Sequence, residues 1–147
     1  MTVSSELLAL REAITTADQA EPLLRVELPL TTVSEANAHE HWRAKAKRAK
    51  SQRDAVANRL RPFPRSIGED FLLCASGALY AGGLVVLLTR VAPRSLDSDN
   101  LSRSLKACRD GVADALGIDD RDPRVTWLVD QRKGPAAVVV EIFRRTT

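Results

Sequence analysis

One stretch constrains this chain more than any other. Gly82-Gly83-Leu84-Val85-Val86-Leu87-Leu88 contains no polar side chain. It falls far short of the roughly 18–20 apolar residues a membrane helix needs. The segment it opens, Gly82–Ala92, reads as a strand at the centre of its sheet, because an edge or solvated strand would alternate with polar residues. Asp70–Tyr80 reads as the strand before it, with Ala81-Gly82-Gly83 as a hairpin-type turn after the loop Phe63–Gly68. Leu23–Leu30 is a third strand: Leu24, Val26, Leu28 and Leu30 alternate with Arg25, Glu27 and Pro29. Pro29 marks an edge position or a strand end. Two more strands, about Val125–Gln131 and Ala136–Arg144, are joined through Lys133-Gly134-Pro135.

Two long helices separate these strands. Glu40–Arg61 contains no Gly or Pro and stops before Pro62 and Pro64. Asp99–Leu116 repeats Leu101, Leu105, Cys108, Val112 and Ala115 or Leu116 at helical spacing, with Gly117 as its C-cap. Leu7, Leu8, Leu10 and Ile14 make residues 4–18 a short amphipathic helix. The expected class is α+β: a mixed sheet of about five strands with two long helices packed on it, plus a short N-terminal helix. Residues 1–20 form a helical extension and 21–147 a single domain, in keeping with the length of 147 residues. The N-terminus lacks a basic region followed by an apolar one, so no signal peptide is expected. Cys74 and Cys108 lie in apolar contexts without metal-ligand spacing, and read as buried free thiols of a cytoplasmic protein.

The 22 basic and 19 acidic residues nearly cancel, so their distribution matters more than their sum. Positive charge is concentrated in Glu40–Arg61: Arg43, Lys45, Lys47, Arg48, Lys50, Arg53, Arg59 and Arg61 face only Glu40 and Asp54. Such a helix suits phosphate contacts, because each neutralised phosphate releases counterions; an ordinary solvated face would look the same. Asn37 is a further candidate for a DNA-facing surface. Arg90, Arg94, Arg132 and Lys133 either extend this basic surface or are ordinary exposed charges. Aromatic residues are only 4% of the chain, so a broad base-stacking platform is not expected. Trp42 and Trp127 read as packing anchors, and His39 and His41 as loop or cap residues rather than metal ligands.

The most informative stretch is Asp97-Ser98-Asp99-Asn100, then a helix, then Asp119-Asp120. Carboxylates are the hard ligands Mg²⁺ prefers, and phosphodiester hydrolysis uses metal-activated water with a cation at the leaving oxygen. Asp97 and Asp99 can approach one centre where an extended segment gives way to a helix. Asp119 or Asp120 can join them only if the helix of about 17 residues, roughly 25 Å long, is short, bent or broken; otherwise a second subunit must supply the carboxylate. An N-cap at Asp97 or Asp99 and a solvated turn at Asp119–Pro123 account for the same residues without chemistry. Asp99, Arg103, Lys106 and Asp110 share one helix face, either as cations above the carboxylates or as simple i,i+4 pairs.

Asp97-Ser98-Asp99-Asn100-Leu101, the helical Lys106, Asp110 and Leu116-Gly117-Ile118-Asp119-Asp120 resemble the RusA family of Holliday junction resolvases, small endonucleases mostly of phage or prophage derivation. His39-Glu40-His41-Trp42-Arg43, leading into Arg48-Ala49-Lys50-Ser51-Gln52-Arg53, is similar to phage members. The resemblance spans about residues 23–145, and its specific part is Asp97–Asp120. It implies a RusA-like endonuclease domain over 21–147, a homodimer, four-way junction DNA as partner, and paired symmetric nicks in recombination and repair. It implies Mg²⁺ or Mn²⁺ as cofactor, held by Asp97, Asp99 and Asp120, with Lys106 completing the catalytic set. The family's Lys lies four residues after the second Asp, where this chain has Arg103, so Arg103 is the alternative cation and Asp119 the alternative carboxylate. Arg43, Lys45, Lys47, Arg48, Lys50 and Arg53 would contact DNA. The competing expectation is a non-catalytic DNA-binding protein of phage origin.

Overall fold

The computed structural model describes residues 22–34, 41–62 and 84–144. The N-terminal helix, the Phe63–Gly68 loop, the Asp70–Tyr80 strand and its turn, Asn37, His39 and Cys74 lie outside the described residues.

The apolar run behaves as its composition requires. Strand β1 is Leu24–Leu28, β2 is Leu84–Ala92, β3 is Val125–Lys133 and β4 is Ala137–Arg144. They form one mixed sheet in the order β1-β4-β2-β3. β2 is interior, antiparallel to β4 and parallel to β3, and buried at all nine positions. Among the described residues β1 pairs with β4 only, and it stops just before Pro29. The described residues therefore show an α+β fold with four strands where about five were expected.

β3 and β4 are not neighbours, because β2 lies between them. Three residues, Gly134 to Ala136, must step across two strand spacings, about 10 Å. They do so against the end of β2: the Gly134 N–H donates to Ala92 O at 3.2 Å. A Cβ on Gly134 would stand 2.9 Å from Val91 Cγ1, so glycine suits this crossing.

Helix α1 is Trp42–Leu60, capped by His41, whose side chain accepts from Arg43 N–H. The helix expected over Asp99–Leu116 is broken in two: α2 is Ser98–Ser104 and α3 is Lys106–Leu116. Leu105 separates them at φ −101°, ψ 0°. Ser104 Oγ donates to Leu101 O at 2.7 Å, while Leu105 N–H is divided between Leu101 O and Ser102 O, both at 3.3 Å. A serine hydroxyl on the i−3 carbonyl weakens the backbone ladder in this way and bends a helix. Gly117 ends α3 in the left-handed conformation, φ 68°, as its C-cap position predicts.

The main core forms where the helices cover one sheet face. Leu84, Val86 and Leu88 of β2, with Val138, Val140 and Ile142 of β4, meet Val56 and Leu60 of α1 and Leu101, Leu105, Cys108 and Val112 of the α2–α3 segment. Burial pushes the Cys108 thiol up to about 12, so this cysteine is a small apolar core residue. α1 crosses α3 at Gly111, where an added Cβ would stand 2.5 Å from Arg53 O and 2.9 Å from Val56 Cβ. That crossing sets the distance between the two cationic elements.

Candidate nucleic-acid interface

α1 and the α2–α3 segment flank an open groove of about 710 Å³. Lys45, Lys50 and Arg53 line it from α1, and Arg103 and Lys106 from the other side; Asp110 is the one acid among its lining residues. The fold thus brings the basic helix and the two candidate catalytic cations, distant in sequence, to one surface. Five cations to one acid is more positive charge than packing needs, and clefts lined by one sign of charge concentrate counter-ions of the other.

Its cations are held differently. Arg53 forks onto Asp114, Nε to Oδ2 at 2.5 Å and Nη2 to Oδ1 at 2.7 Å. This guanidinium holds the Asp114 carboxyl below its usual range. Lys50 Nζ meets Asp54 Oδ2 at 2.6 Å. Lys106 Nζ sits 3.3 Å from both Asp110 oxygens, the expected i,i+4 pair. No Asp99–Arg103 pair forms, and Arg103 has no hydrogen-bond or ion-pair partner among the described residues. Arg43 and Lys47 are exposed and Arg48 is half-buried on α1.

Asp97 is the N-cap of α2. Its Oδ1 accepts from Asn100 N–H at 2.9 Å and its Oδ2 from Asn100 Nδ2 at 3.0 Å. The capping role expected from sequence is therefore real, and each oxygen keeps a lone pair for a further ligand. Asp99 is exposed in the first turn of the same helix. The segment leading to Asp97 is pinned from the sheet. Gln131 accepts from Leu96 N–H at 2.9 Å and donates to Leu96 O at 2.7 Å. Arg90 donates to Arg94 O at 2.7 Å and to Thr32 Oγ1 at 2.8 Å.

Asp119 and Asp120 occupy the turn between α3 and β3. The Arg121 main-chain N–H donates to Asp119 Oδ1 at 2.8 Å and holds that carboxyl below its usual range. Arg109 donates to Asp120 O at 2.8 Å, and its Nε lies 3.9 Å from Asp120 Oδ2. The Arg109 guanidinium covers the Trp127 ring at 4.8 Å, and Trp127 packs against the main core as expected.

The topology separates the two acidic ends. Asp97 and Asp99 follow the C-terminal end of β2, whereas Asp119 and Asp120 precede the N-terminal end of parallel β3. Nine-residue strands span about 30 Å, so the two acidic pairs leave the sheet at opposite ends. Among the described residues no three His, Cys, Asp or Glu side chains group closely enough to hold a metal ion. Asp97, Asp99 and Asp120 of one chain are therefore not grouped in this structure. Also among the described residues, no helix is long and apolar enough to cross a membrane.

No known family, curated protein or solved structure matches the chain.

Two sequence expectations need correction here. Trp42 is not a packing anchor: it is 67% exposed, because α1 runs on past the edge of the packed core. Arg90 is not a surface charge: it is 6% exposed, and burial lowers its pKa. Its guanidinium ties β1's exit to the Asp97 approach. Arg90, Thr32 and Gln131 are positioning residues that pattern reading overlooked. The one available signal was a lone charged residue in a strand whose other members, Thr89 apart, are apolar.

Proposed function

We propose that this chain binds branched DNA through the α1/α2–α3 groove and works, as a homodimer, as a metal-dependent endonuclease that resolves four-way junctions by paired nicks. The single observation that supports this most is the groove itself. It joins Lys45 and Lys50 to Lys106 and to Arg103, which lies one helical turn from Asp99. Asp97 and Asp99, on a segment pinned at both Arg94 and Leu96, are the two carboxylates one chain offers to Mg²⁺ or Mn²⁺. Asp120 of a second copy would supply the third, which agrees with a monomer that does not assemble the set alone. A cation at Lys106 or Arg103 would stabilise charge on the leaving oxygen.

The test is cleavage of synthetic four-way junctions with Mg²⁺ or Mn²⁺, against linear duplex as control. Symmetric nicks are expected, abolished in Asp99→Asn and in Asp120→Asn. Mixing those two inactive variants restores nicking only if each site is shared between two copies. Arg103→Ala compared with Lys106→Ala then assigns the catalytic cation. Junction left intact by pure protein with either metal rejects the nuclease.

Asp97 already caps α2 through both of its carboxylate oxygens, which favours a second reading, a DNA-binding protein without catalysis. Binding unchanged or tighter on neutralising Asp97, Asp99 and Asp120, without metal dependence, would select it.

A further inference from the structure

α1 carries its most exposed large apolar side chain at its cationic end. Trp42 is 67% exposed, one of two exposed large hydrophobic residues among the described ones. Burial does not account for it, and a solvated indole contributes nothing to folding. Its position on the helix is specific. At 100° per residue, Trp42, Ala46, Ala49 and Arg53 lie along one line of α1. The last three of these line the groove, together with Lys45, Lys50 and Gln52. Trp42 therefore extends the groove-lining face of α1 by one turn, past the residues that line the groove itself.

Its immediate neighbours are aromatic and cationic. The Arg43 guanidinium lies 5.1 Å from the indole centroid, and the His41 ring is 5.6 Å away at 32°. His41 is itself fixed, its Nδ1 accepting from Arg43 N–H at 3.2 Å. The indole thus stands on a braced first turn with a cation against its ring, and with Lys45 and Lys47 within the next two turns. An exposed aromatic among cations, in line with a basic groove, combines the two elements by which proteins hold single-stranded nucleic acid: backbone charge and base stacking.

We propose that Trp42 is a stacking site for an unpaired nucleobase where a DNA strand leaves the groove. The occupant is a nucleobase rather than an aliphatic or acidic protein surface. The patch offers an exposed indole with cations beside it, and the only other exposed large hydrophobic among the described residues is Leu23 on β1's side. The site would take a base unstacked at a branch point, and so would contribute to preference for branched over linear DNA. This rests on the nucleic-acid-binding half of the proposed function and is independent of catalysis.

The experiment uses the full chain with oligothymidylate, and with four-way and linear duplexes, across a salt series. Tryptophan fluorescence should be quenched by oligothymidylate in the native chain and not in Trp42→Phe, which retains Trp127. Trp42→Ala should weaken binding to oligothymidylate and to the junction about tenfold, with Trp42→Phe recovering most of it. Linear duplex binding should change little. The slope of log K against log salt should stay unchanged in Trp42→Ala. Lys47→Ala should flatten it by about 0.7 on single strands. Trp42 is exposed, so these variants keep the fold.

Native-like binding by Trp42→Ala overturns the proposal. So does a lower light-scattering mass in that variant, which would place the indole in a contact between copies. Quenching and binding without metal-dependent cleavage would leave the stacking site standing and reject the nuclease. No affinity for any of the three DNAs would reject both.

Discussion

From Trp42 to Lys47 every residue of α1 is exposed, whereas from Gln52 to Leu60 the helix buries Gln52, Val56, Ala57 and Leu60. Both halves are basic, but they answer to different forces. The second half is held by the core and by Gln52 Nε2, which donates to Thr31 O at 2.9 Å. The first half has no acidic residue in its opening turn. Arg43 and Lys45 stand at the positive end of the helix dipole, where a cation is unfavourable by about 0.3–1 kcal/mol. Stability alone would have put carboxylates there. A positive helix end carrying positive side chains is a good place for an anion, so the same charge pattern supports the fold in one half and, under the proposed function, would meet phosphate in the other. Net charge could not distinguish them; burial does.

The largest effects should come from breaking the supporting half. Leu60→Ala opens a cavity beneath the sheet and is expected to cost about 2–5 kcal/mol, read as a drop in the urea midpoint. Lys47→Ala, in the projecting half, should stay within about 0.5 kcal/mol of the native protein while weakening DNA binding. Equal stability losses in the two variants would erase the distinction between the halves.

Gly111→Ala sharpens the same comparison from the other helix. Its Cβ would meet Arg53 O at 2.5 Å, and main chain cannot rotate aside as a side chain can. α1 and α3 must then move apart, at a cost of about 1–3 kcal/mol. The groove should widen with them, so junction affinity should fall with stability. A variant with native stability would mean that the helices are less tightly opposed than this contact implies.

Elements governed by local pattern were legible in the sequence. β2 followed from its unbroken apolar run, the Leu101–Leu105–Cys108–Val112 stripe from its period, and Gly117 from its C-cap place. What depended on distant partners was not legible. The insertion of β2 between β3 and β4 is a long-range choice that Lys133-Gly134-Pro135 does not announce. The break at Leu105 turns on one hydroxyl of Ser104. The site divides in the same way. Its cations were visible as a group, and the difficulty of bringing Asp120 to Asp97 was visible from helix length. The groove was not, because it exists only where Gly111 lets α1 and α3 cross. Trp42 was misjudged because apolar spacing shows which way a side chain points, not whether anything lies there to cover it.

The smallest expected effect lies where the two halves of α1 meet, at Arg53. Its fork to Asp114 joins the groove wall to α3, and both side chains are partly exposed, 47% and 37%. Solvent screening limits such a pair to about 0.2–1 kcal/mol. Asp114 has a lowered pKa in the fold, caused first by the Arg53 hydrogen bonds, whereas its unfolded value is about 3.9. The fold therefore binds this proton less readily than the unfolded chain does. The pair's contribution is present in full above about pH 4 and is lost as pH falls through the lower folded value. Asp114→Asn should reduce stability by up to about 1 kcal/mol at pH 7 and make the acid limb of the stability curve shallower. Some acid dependence should persist, because Arg124 likewise holds Asp122 below its usual range. Urea titrations at pH 7, 4 and 3 would measure both. An unchanged acid limb in Asp114→Asn would show that the fork contributes nothing to stability in solution, so that Arg53 is not a brace.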